Sequence, residues 1–291
     1  MLDKRMSVED IVAQLSDGMT IGIGGWATRR KPMALVRAIL RSGLKDLTIV
    51  SYGGPDVGML ATEGRIRKLV FAFVSLDQYP LDPHFRAARQ AGLEVLELDE
   101  GMFHLGLRAA AMRVPFLPTR IGIGTDIVRD AAIRMVRSPY DDDDLLVAVP
   151  ALKLDATLLH VHRSDARGNV LTLSPDPLFD ELMARAADKV FVTAEQVVPT
   201  AELDMARNAR FNLCERSLIS GVAEVPFGAH PTSADPDYHI DLKHLKTYVD
   251  SAASPEAWSM YRERFVDLPT EDYLAAVGGR SAVSVLPKPV Y

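Results

Sequence analysis

Apolar and polar positions along this chain follow two rhythms, and together they predict strands that alternate with helices. Short continuous apolar runs of strand length lie at 19–23, 47–51, 69–74 and 93–98. Segments with helical spacing lie at 8–15, 32–43 and 83–90. Ser7 with Asp10 resembles a capping box at the start of the first helix. Apolar strands that alternate with helices predict an α/β fold with an open, largely parallel sheet and helices on both faces.

The second half of the chain continues the pattern and then becomes helical. The predicted strands there are 120–124, 145–149, 155–162 and 189–193. The run Asp141 to Asp144 predicts a surface loop, because four like charges repel each other and require water. Beyond Asp241 the pattern is helical, with Ser254-Pro255-Glu256 as an N-cap signal. We therefore expect one domain over 1–240 and a helical C-terminal extension over 241–291 packed on it.

Composition narrows the class of protein. The 291 residues are 48% apolar and 25% charged, with a net charge of −6, which is typical of a globular protein and unfavourable for nucleic-acid binding. No apolar run is long enough for a membrane span, and the N-terminus does not resemble a secretory signal. The single cysteine, Cys214, excludes an intramolecular disulfide framework, and we expect its thiol to be buried and inert. A cytoplasmic protein is the simplest interpretation.

His160 and His162 lie two residues apart on a predicted strand and therefore share a face. A metal pair needs a third ligand, and none is adjacent in the sequence, so we expect no metal site.

Two glycine turns follow predicted strands at the place where an open α/β sheet binds ligands: Gly24-Gly25 and Gly53-Gly54. Glycines let a ligand approach backbone N–H groups, and a helix start attracts anions. Neither turn has the GxGxxG or GK[ST] spacing, so tight turns without a ligand are equally supported. The basic residues Arg29 and Arg30 can contact a phosphate or a carboxylate, although an exposed basic turn is the favoured interpretation.

An acidic pair, Asp99-Glu100, precedes Gly101 at the predicted end of a strand. A carboxylate at such a position can act as a general base. The alternative is a solvated acidic turn, since loops are commonly charged and rich in glycine.

Taken in order, these segments resemble the α subunit of family I coenzyme A transferases. Four stretches carry the resemblance: the glycine turn 18–25 with its Pro32 helix; 97–125, with Glu97-Leu98, Glu100-Gly101, Arg108-Ala109 and Gly122-Ile123-Gly124-Thr125; 158–169; and 222–231. The resemblance implies the transferase fold, a β subunit as partner in an α₂β₂ assembly, and coenzyme A as part of an acyl-CoA substrate with no other bound cofactor.

The departures from the family pattern change the expected chemistry. The family's nucleophilic glutamate belongs to the β subunit, in a Ser-Glu-Asn-Gly-like context that this chain lacks. Where the transferases have Gln-Gly, this chain has Glu100-Gly101. The segments 24–33 and 51–56 resemble a branch of α subunits from acyl-CoA hydrolases that open the last steroid rings in bacterial cholesterol and bile-acid breakdown. That resemblance implies that Glu100 activates water.

Three hypotheses follow from these observations. The first is a hydrolase α subunit that opens a ring of a steroid-derived cyclic oxo acyl-CoA with Glu100 as general base. The second is the α subunit of a true CoA transferase of the 3-oxoacid or dicarboxylate type, and the third is a scaffold that completes a partner's site. The glycines expected to line the substrate and oxyanion pocket are Gly24, Gly25, Gly53, Gly54, Gly101, Gly122 and Gly124.

Overall fold

Eleven strands and eleven helices are described in the computed structural model, which covers residues 3–130, 132–140, 143–174 and 176–288. The strands are β1 Thr20–Ile23, β2 Leu47–Ser51, β3 Ile66–Phe71, β4 Glu94–Glu97, β5 Phe116–Thr119, β6 Arg134–Arg137, β7 Leu145–Pro150, β8 Leu154–Ser164, β9 Val170–Leu171, β10 Ala187–Val197 and β11 Ile219–Glu224. The helices are α1 Val8–Val12, α2 Met33–Ser42, α3 Pro55–Thr62, α4 Pro83–Gln90, α5 Glu100–Ala111, α6 Asp180–Ala186, α7 Met205–Asn208, α8 Leu242–Asp250, α9 Pro255–Phe265, α10 Thr270–Ala276 and α11 Arg280–Val283.

The main sheet has the strand order β11-β10-β8-β1-β2-β3-β4, and every neighbouring pair in that order is parallel. The short β9 pairs antiparallel with β8. The chain leaves β1 towards β2 and later returns to β8 on the other side of β1. Such a reversal of strand order opens a crevice at the carboxyl ends of the strands. The predicted α/β fold with a largely parallel open sheet is confirmed.

Alternate residues of the strands pack into two apolar layers, one on each face of the sheet. Ile49 joins the layer formed with α1, α2 and α3, whereas its neighbour Val50 joins the layer formed with α5 and α6. This alternation follows from the two-residue period of a strand. The C-terminal helices α8, α9 and α10 contribute Tyr248, Tyr261 and Tyr273 to the first layer. The segment beyond Asp241 therefore packs on the same body as the N-terminal helices.

A second sheet, which the sequence pattern did not predict, lies beside α5. It has three antiparallel strands in the order β5-β7-β6. The strand expected at 120–124 is wrong: the strand ends at Thr119, and the following residues form a turn. Gly122 and Gly124 have φ angles of +89° and +84°, which no strand residue adopts.

Several local predictions are confirmed, and one falls partly on residues outside the described ranges. Ser7 and Asp10 form the capping box of α1, and Gly43 closes α2 in the left-handed conformation. Pro32 is the residue before α2 rather than its first residue. Of the acidic run, Asp141 and Asp142 lie outside the described residues. None of the described helices combines the length and apolarity that a membrane span requires.

A close approach between two loops limits the residue at position 54. A Cβ atom on Gly54 would overlap the carbonyl oxygen of Ala27, which is backbone and cannot rotate away. We predict that Gly54→Ala lowers the free energy of unfolding by about 1–3 kcal/mol through overpacking. The measurement is urea unfolding followed by circular dichroism.

The matched control is Gly221→Ala. Its added methyl group would meet only the flexible side chain of Met6, which can turn aside. We expect a smaller loss, under about 1 kcal/mol. Equal losses in the two variants would contradict the rigid contact between Gly54 and Ala27.

Candidate active site

The acidic residue that the sequence singled out lies at the first position of α5, just after β4 ends. Asp99 caps this helix, because its Oδ1 accepts a hydrogen bond of 2.8 Å from the N–H of Gly101. Glu100 is exposed, and a carboxylate in the first helical turn is stabilised by the helix dipole. The two acids therefore have different roles: Asp99 is used to start the helix, whereas the Glu100 carboxylate is presented at the edge of the sheet.

A tyrosine at the end of β2, two strands away from β4, holds the Glu100 carboxylate. Tyr52 directly follows β2, and its hydroxyl donates to Oε2 of Glu100 at 2.6 Å. Burial and then the hydrogen bond to Glu100 raise the pKa of Tyr52, so the phenol keeps its proton and remains a donor. This pair joins the segments that follow β2 and β4 at one edge of the sheet.

Four aromatic rings surround the ring of Tyr52. The nearest is Phe73, edge-on at a centroid distance of 4.5 Å, followed by Phe179, stacked at 5.0 Å. Trp26 and Phe103 lie at 5.7 and 5.9 Å. Such edge-on and stacked arrangements are favourable for aromatic pairs. The phenol is therefore fixed in orientation.

The loop after β1 is held by a buried carboxylate on α6. Asp180 accepts a hydrogen bond of 2.8 Å from the N–H of Gly25 and forms an ion pair of 2.9 Å with the guanidinium of Arg30. Arg30 is only 1% exposed. Both interpretations of Arg30 conflict with this position: the residue does not lie in an exposed turn, and its charge is already paired with Asp180 rather than free for a ligand anion.

The next residue, Lys31, is also buried rather than exposed. Its ammonium donates to Ser51 at 2.8 Å and to Asp56 at 3.2 Å, and the other oxygen of Asp56 accepts from the N–H of Gly54 at 2.8 Å. Burial lowers the pKa of Lys31, and the attraction of Asp56 opposes this shift. Of Arg29, Arg30 and Lys31, only Arg29 reaches the surface, where it pairs with Asp77.

Most of the predicted oxyanion donors are already used within the chain. Five glycine N–H groups donate to protein acceptors: Gly24 to Leu158, Gly25 to Asp180, Gly53 to Phe73, Gly54 to Asp56 and Gly101 to Asp99. In this conformation these groups stabilise turns and have no free proton for a ligand. The prediction of oxyanion donors at these five positions therefore conflicts with the structure.

The turn that contains Gly122 and Gly124 lies against the start of α5. The side chain of Ile121 packs on Gly101, where an added Cβ would lie 2.6 Å from it, and Gly122 faces the sulfur of Met102. Among the described residues, the N–H groups of Gly122 and Gly124 donate to no protein acceptor. Of the seven predicted glycines, these two thus keep an N–H group without a protein acceptor, in a turn that packs on the start of α5.

Sequence reasoning missed Tyr52 and His104 as parts of this site. His104 lies one helical turn after Glu100, half-buried, with its ring edge-on to Phe179 at 5.9 Å. Burial and then Arg108 lower the pKa of His104, while Glu100 raises it. The i, i+4 spacing of Glu100 and His104 and the strand-end position of Tyr52 were the signals available in the sequence.

The remaining candidates are buried in the core. His160 contacts Thr193 at 2.9 Å and Glu195 at 2.7 Å. His162 accepts from the N–H of Leu173 at 3.0 Å and contacts the carbonyl of Asp235 at 2.8 Å. Burial raises the pKa of the Cys214 thiol to about 12, so this thiol is protonated and unreactive at neutral pH.

Comparisons with known proteins identify the family of this chain. The coenzyme A transferase family profile matches residues 5–209. The chain is 48% identical over 283 residues to the cholesterol ring-cleaving hydrolase IpdA subunit of Rhodococcus jostii, covering 94% of this chain and 96% of that protein. It is 44% identical to the IpdA subunit of Mycobacterium tuberculosis, covering 95% and 98%.

The structure superimposes on glutaconate coenzyme A-transferase from Acidaminococcus fermentans with a TM-score of 0.91 and 25% identity, covering 99% of this chain and 96% of that chain. The profile match spans more than half of this chain, and two relatives exceed 40% identity over nearly its whole length. The chain belongs to the coenzyme A transferase family.

Proposed function

We propose that this chain is the α subunit of a heteromeric hydrolase with the CoA transferase fold. Its substrate is a steroid-derived cyclic oxo acyl-CoA, which it opens by water-dependent C–C cleavage with Glu100 as general base. The observation that carries the proposal is the exposed Glu100 carboxylate at the start of α5, held by Tyr52 at the carboxyl edge of the parallel sheet. The relatives named as cholesterol ring-cleaving hydrolase subunits support the substrate class.

The reaction is a hydrolytic retro-Claisen cleavage. Glu100 accepts a proton from water, and the water oxygen forms a bond to the ring carbonyl carbon. The ring carbonyl lies β to a second carbonyl group. The tetrahedral alkoxide collapses to a carboxylic acid, and the C–C bond to the carbon between the two carbonyls breaks, with its electron pair retained as the enolate of the second carbonyl. Glu100 returns the proton to the enolate carbon. One water molecule is consumed, the ring is opened, and the CoA thioester remains on the product.

Negative charge develops on oxygen during this reaction and requires hydrogen-bond donors. We assign this role to the N–H groups of Gly122 and Gly124, because their turn packs on the start of α5 through Ile121 and Met102 and they donate to no described protein acceptor. Removing one such donor typically costs about 3–4 kcal/mol of transition-state stabilisation. Coenzyme A enters as part of the substrate, and the proposal invokes no other cofactor.

The partner in this proposal is a β subunit that covers an apolar patch beside the site. Seven of the nine exposed large apolar side chains in the described residues lie between 112 and 145. This apolar patch consists of Met112, Phe116, Ile121, Ile123, Met135, Tyr140 and Leu145. Exposed large apolar side chains concentrated in one segment of a chain favour an interface. Ile121 packs on Gly101, so a subunit seated on the patch would also enclose Glu100.

The second candidate function is CoA transfer, with the nucleophilic glutamate in the β subunit and Glu100 lining the site. The structural match to glutaconate coenzyme A-transferase favours it. The two functions differ in the fate of coenzyme A, which makes them separable in one assay.

We predict that the complex of this chain with its β subunit consumes a steroid-derived cyclic oxo acyl-CoA in water alone. The ring-opened product should retain its thioester, because water attacks the ring carbonyl carbon and not the carbonyl carbon of the thioester. Mass spectrometry of the product, with and without added short carboxylic acids as acceptors, is the measurement. Transfer of coenzyme A to an added acid, with no reaction in its absence, would establish the transferase instead.

We predict that Glu100→Gln in the complex lowers kcat by about 10²–10⁴-fold, the contribution typical of a general base. The amide keeps the shape of the side chain but cannot accept the proton of water. The matched control is Glu97→Gln, which removes an exposed carboxylate at the end of β4. We expect the control to retain turnover. Turnover of Glu100→Gln within twofold of the unaltered complex would remove Glu100 from the mechanism.

We predict that Met135→Glu weakens association with the β subunit at least tenfold, because a charge would be buried in the interface. Met260→Glu is the matched control, since Met260 is 71% exposed on α9, outside the apolar patch. The measurement is the dissociation constant of the separately purified subunits by analytical ultracentrifugation. Equal effects of the two substitutions would show that the partner does not cover the apolar patch.

A further inference from the structure

We propose that Tyr52 is a positioning residue for the reacting carboxylate: its phenol occupies Oε2 of Glu100 and leaves Oε1 to accept the proton of water. This inference rests on the proposed role of Glu100 and assigns different roles to its two carboxylate oxygens. It assigns a role in the reaction to a residue that the family resemblance did not single out.

The first support is the geometry of the pair. The phenol of Tyr52 is buried, with the residue 3% exposed, whereas Glu100 is exposed. The hydrogen bond of 2.6 Å therefore joins a buried donor to one oxygen of an exposed carboxylate. Such charge-assisted O–H···O⁻ bonds are short and strong. Among the described residues, no other donor contacts the Glu100 carboxylate, so Oε1 is free to meet water.

The second support is that the phenolic proton has no competing acceptor among the four surrounding rings. Phe73, Phe103 and Phe179 carry no polar atom, and the indole N–H of Trp26 is a donor only. Trp26 Nε1 is buried and can only donate a proton, so it cannot take the proton of the phenol. The proton of Tyr52 is therefore directed at Glu100.

The third support is that the helix carrying Glu100 also packs on Tyr52. Phe103 lies three residues after Glu100 on α5, and its ring meets the ring of Tyr52 edge-on at 5.9 Å. The donor and the acceptor are thus fixed relative to each other by a contact independent of their hydrogen bond. An exposed glutamate otherwise samples several rotamers, and ordering it in advance favours the reactive geometry.

The test is a double-mutant cycle in the reconstituted complex, with Tyr52→Phe, Glu100→Gln and the double variant. Tyr52→Phe keeps the ring and removes the hydroxyl. We expect it to lower kcat by about 10- to 100-fold with KM changed less than twofold, because orientation acts on the chemical step. In the Glu100→Gln background, Tyr52→Phe should have no further effect, since the two residues act as one unit.

Tyr248→Phe is the matched control, because it removes another phenol–carboxylate hydrogen bond, 2.8 Å long and donated to Asp82, in the other apolar layer. We expect unchanged kcat for this variant. Thermal melting of each variant separates loss of folded protein from loss of turnover. Glu100→Asp provides a second route, because the shorter side chain withdraws the carboxylate from Tyr52 while keeping its charge, and it should lose turnover at least as strongly as Tyr52→Phe.

The outcomes distinguish this inference from the proposed function. An inactive Glu100→Gln complex together with a fully active Tyr52→Phe complex would overturn the positioning role and leave the function standing. Additive losses in the double variant, or a fully active Glu100→Asp complex, would also overturn the positioning role. Full turnover of Glu100→Gln would overturn the proposed function itself.

Discussion

The buried carboxylate of Asp180 is the interaction on which the candidate site depends. It joins the first residue of α6 to the loop after β1 through the Gly25 N–H and the Arg30 guanidinium. An isolated charge in the interior is strongly unfavourable, so neither partner can leave without a large cost in stability. Phe179, the residue before Asp180, stacks on Tyr52. Trp26 lies in the loop that Asp180 anchors and packs on Tyr52 and on Phe73. The surroundings of Tyr52 therefore depend on a buried ion pair.

The glycine turns are poor oxyanion donors because their N–H groups already bind acceptors within the protein. The N–H groups of Gly25 and Gly54 bind the carboxylates of Asp180 and Asp56, which in turn neutralise Arg30 and Lys31. Each buried charge thus has a partner, as burial requires. The backbone donors at these turns are consumed in fixing the loops. Rigidity at this edge of the sheet is obtained at the expense of free donors, which leaves anion stabilisation to the turn beside α5.

Local features of the fold were predictable from the sequence, and long-range pairs were not. The bounds of β2 and α4 were predicted correctly, because apolar runs, proline and helical spacing are local signals. The turn at 120–124 was predicted as a strand, since its apolar residues alternate with glycines whose positive φ angles leave no trace in an apolar pattern.

Within the site, the sequence identified Glu100 but not its donor. Tyr52 and Glu100 lie 48 residues apart, and Arg30 and Asp180 lie 150 apart. Only the order of the strands in the sheet brings such pairs together, and that order is not written in local spacing. Arg30 therefore appeared as an exposed basic residue, although the fold places its partner in the core.

The exposure of Glu100 in the single chain has a consequence for the chemistry. A base in open solvent exchanges protons freely with bulk water, and an enolate formed there would be protonated without control. Enclosing the site removes bulk water and strengthens every electrostatic interaction within it. Ile121, one residue of the apolar patch, lies against Gly101, so a partner that covered this turn would lie beside the base. In the proposed enzyme, this chain supplies the base and its rigid support, and the partner supplies the enclosure.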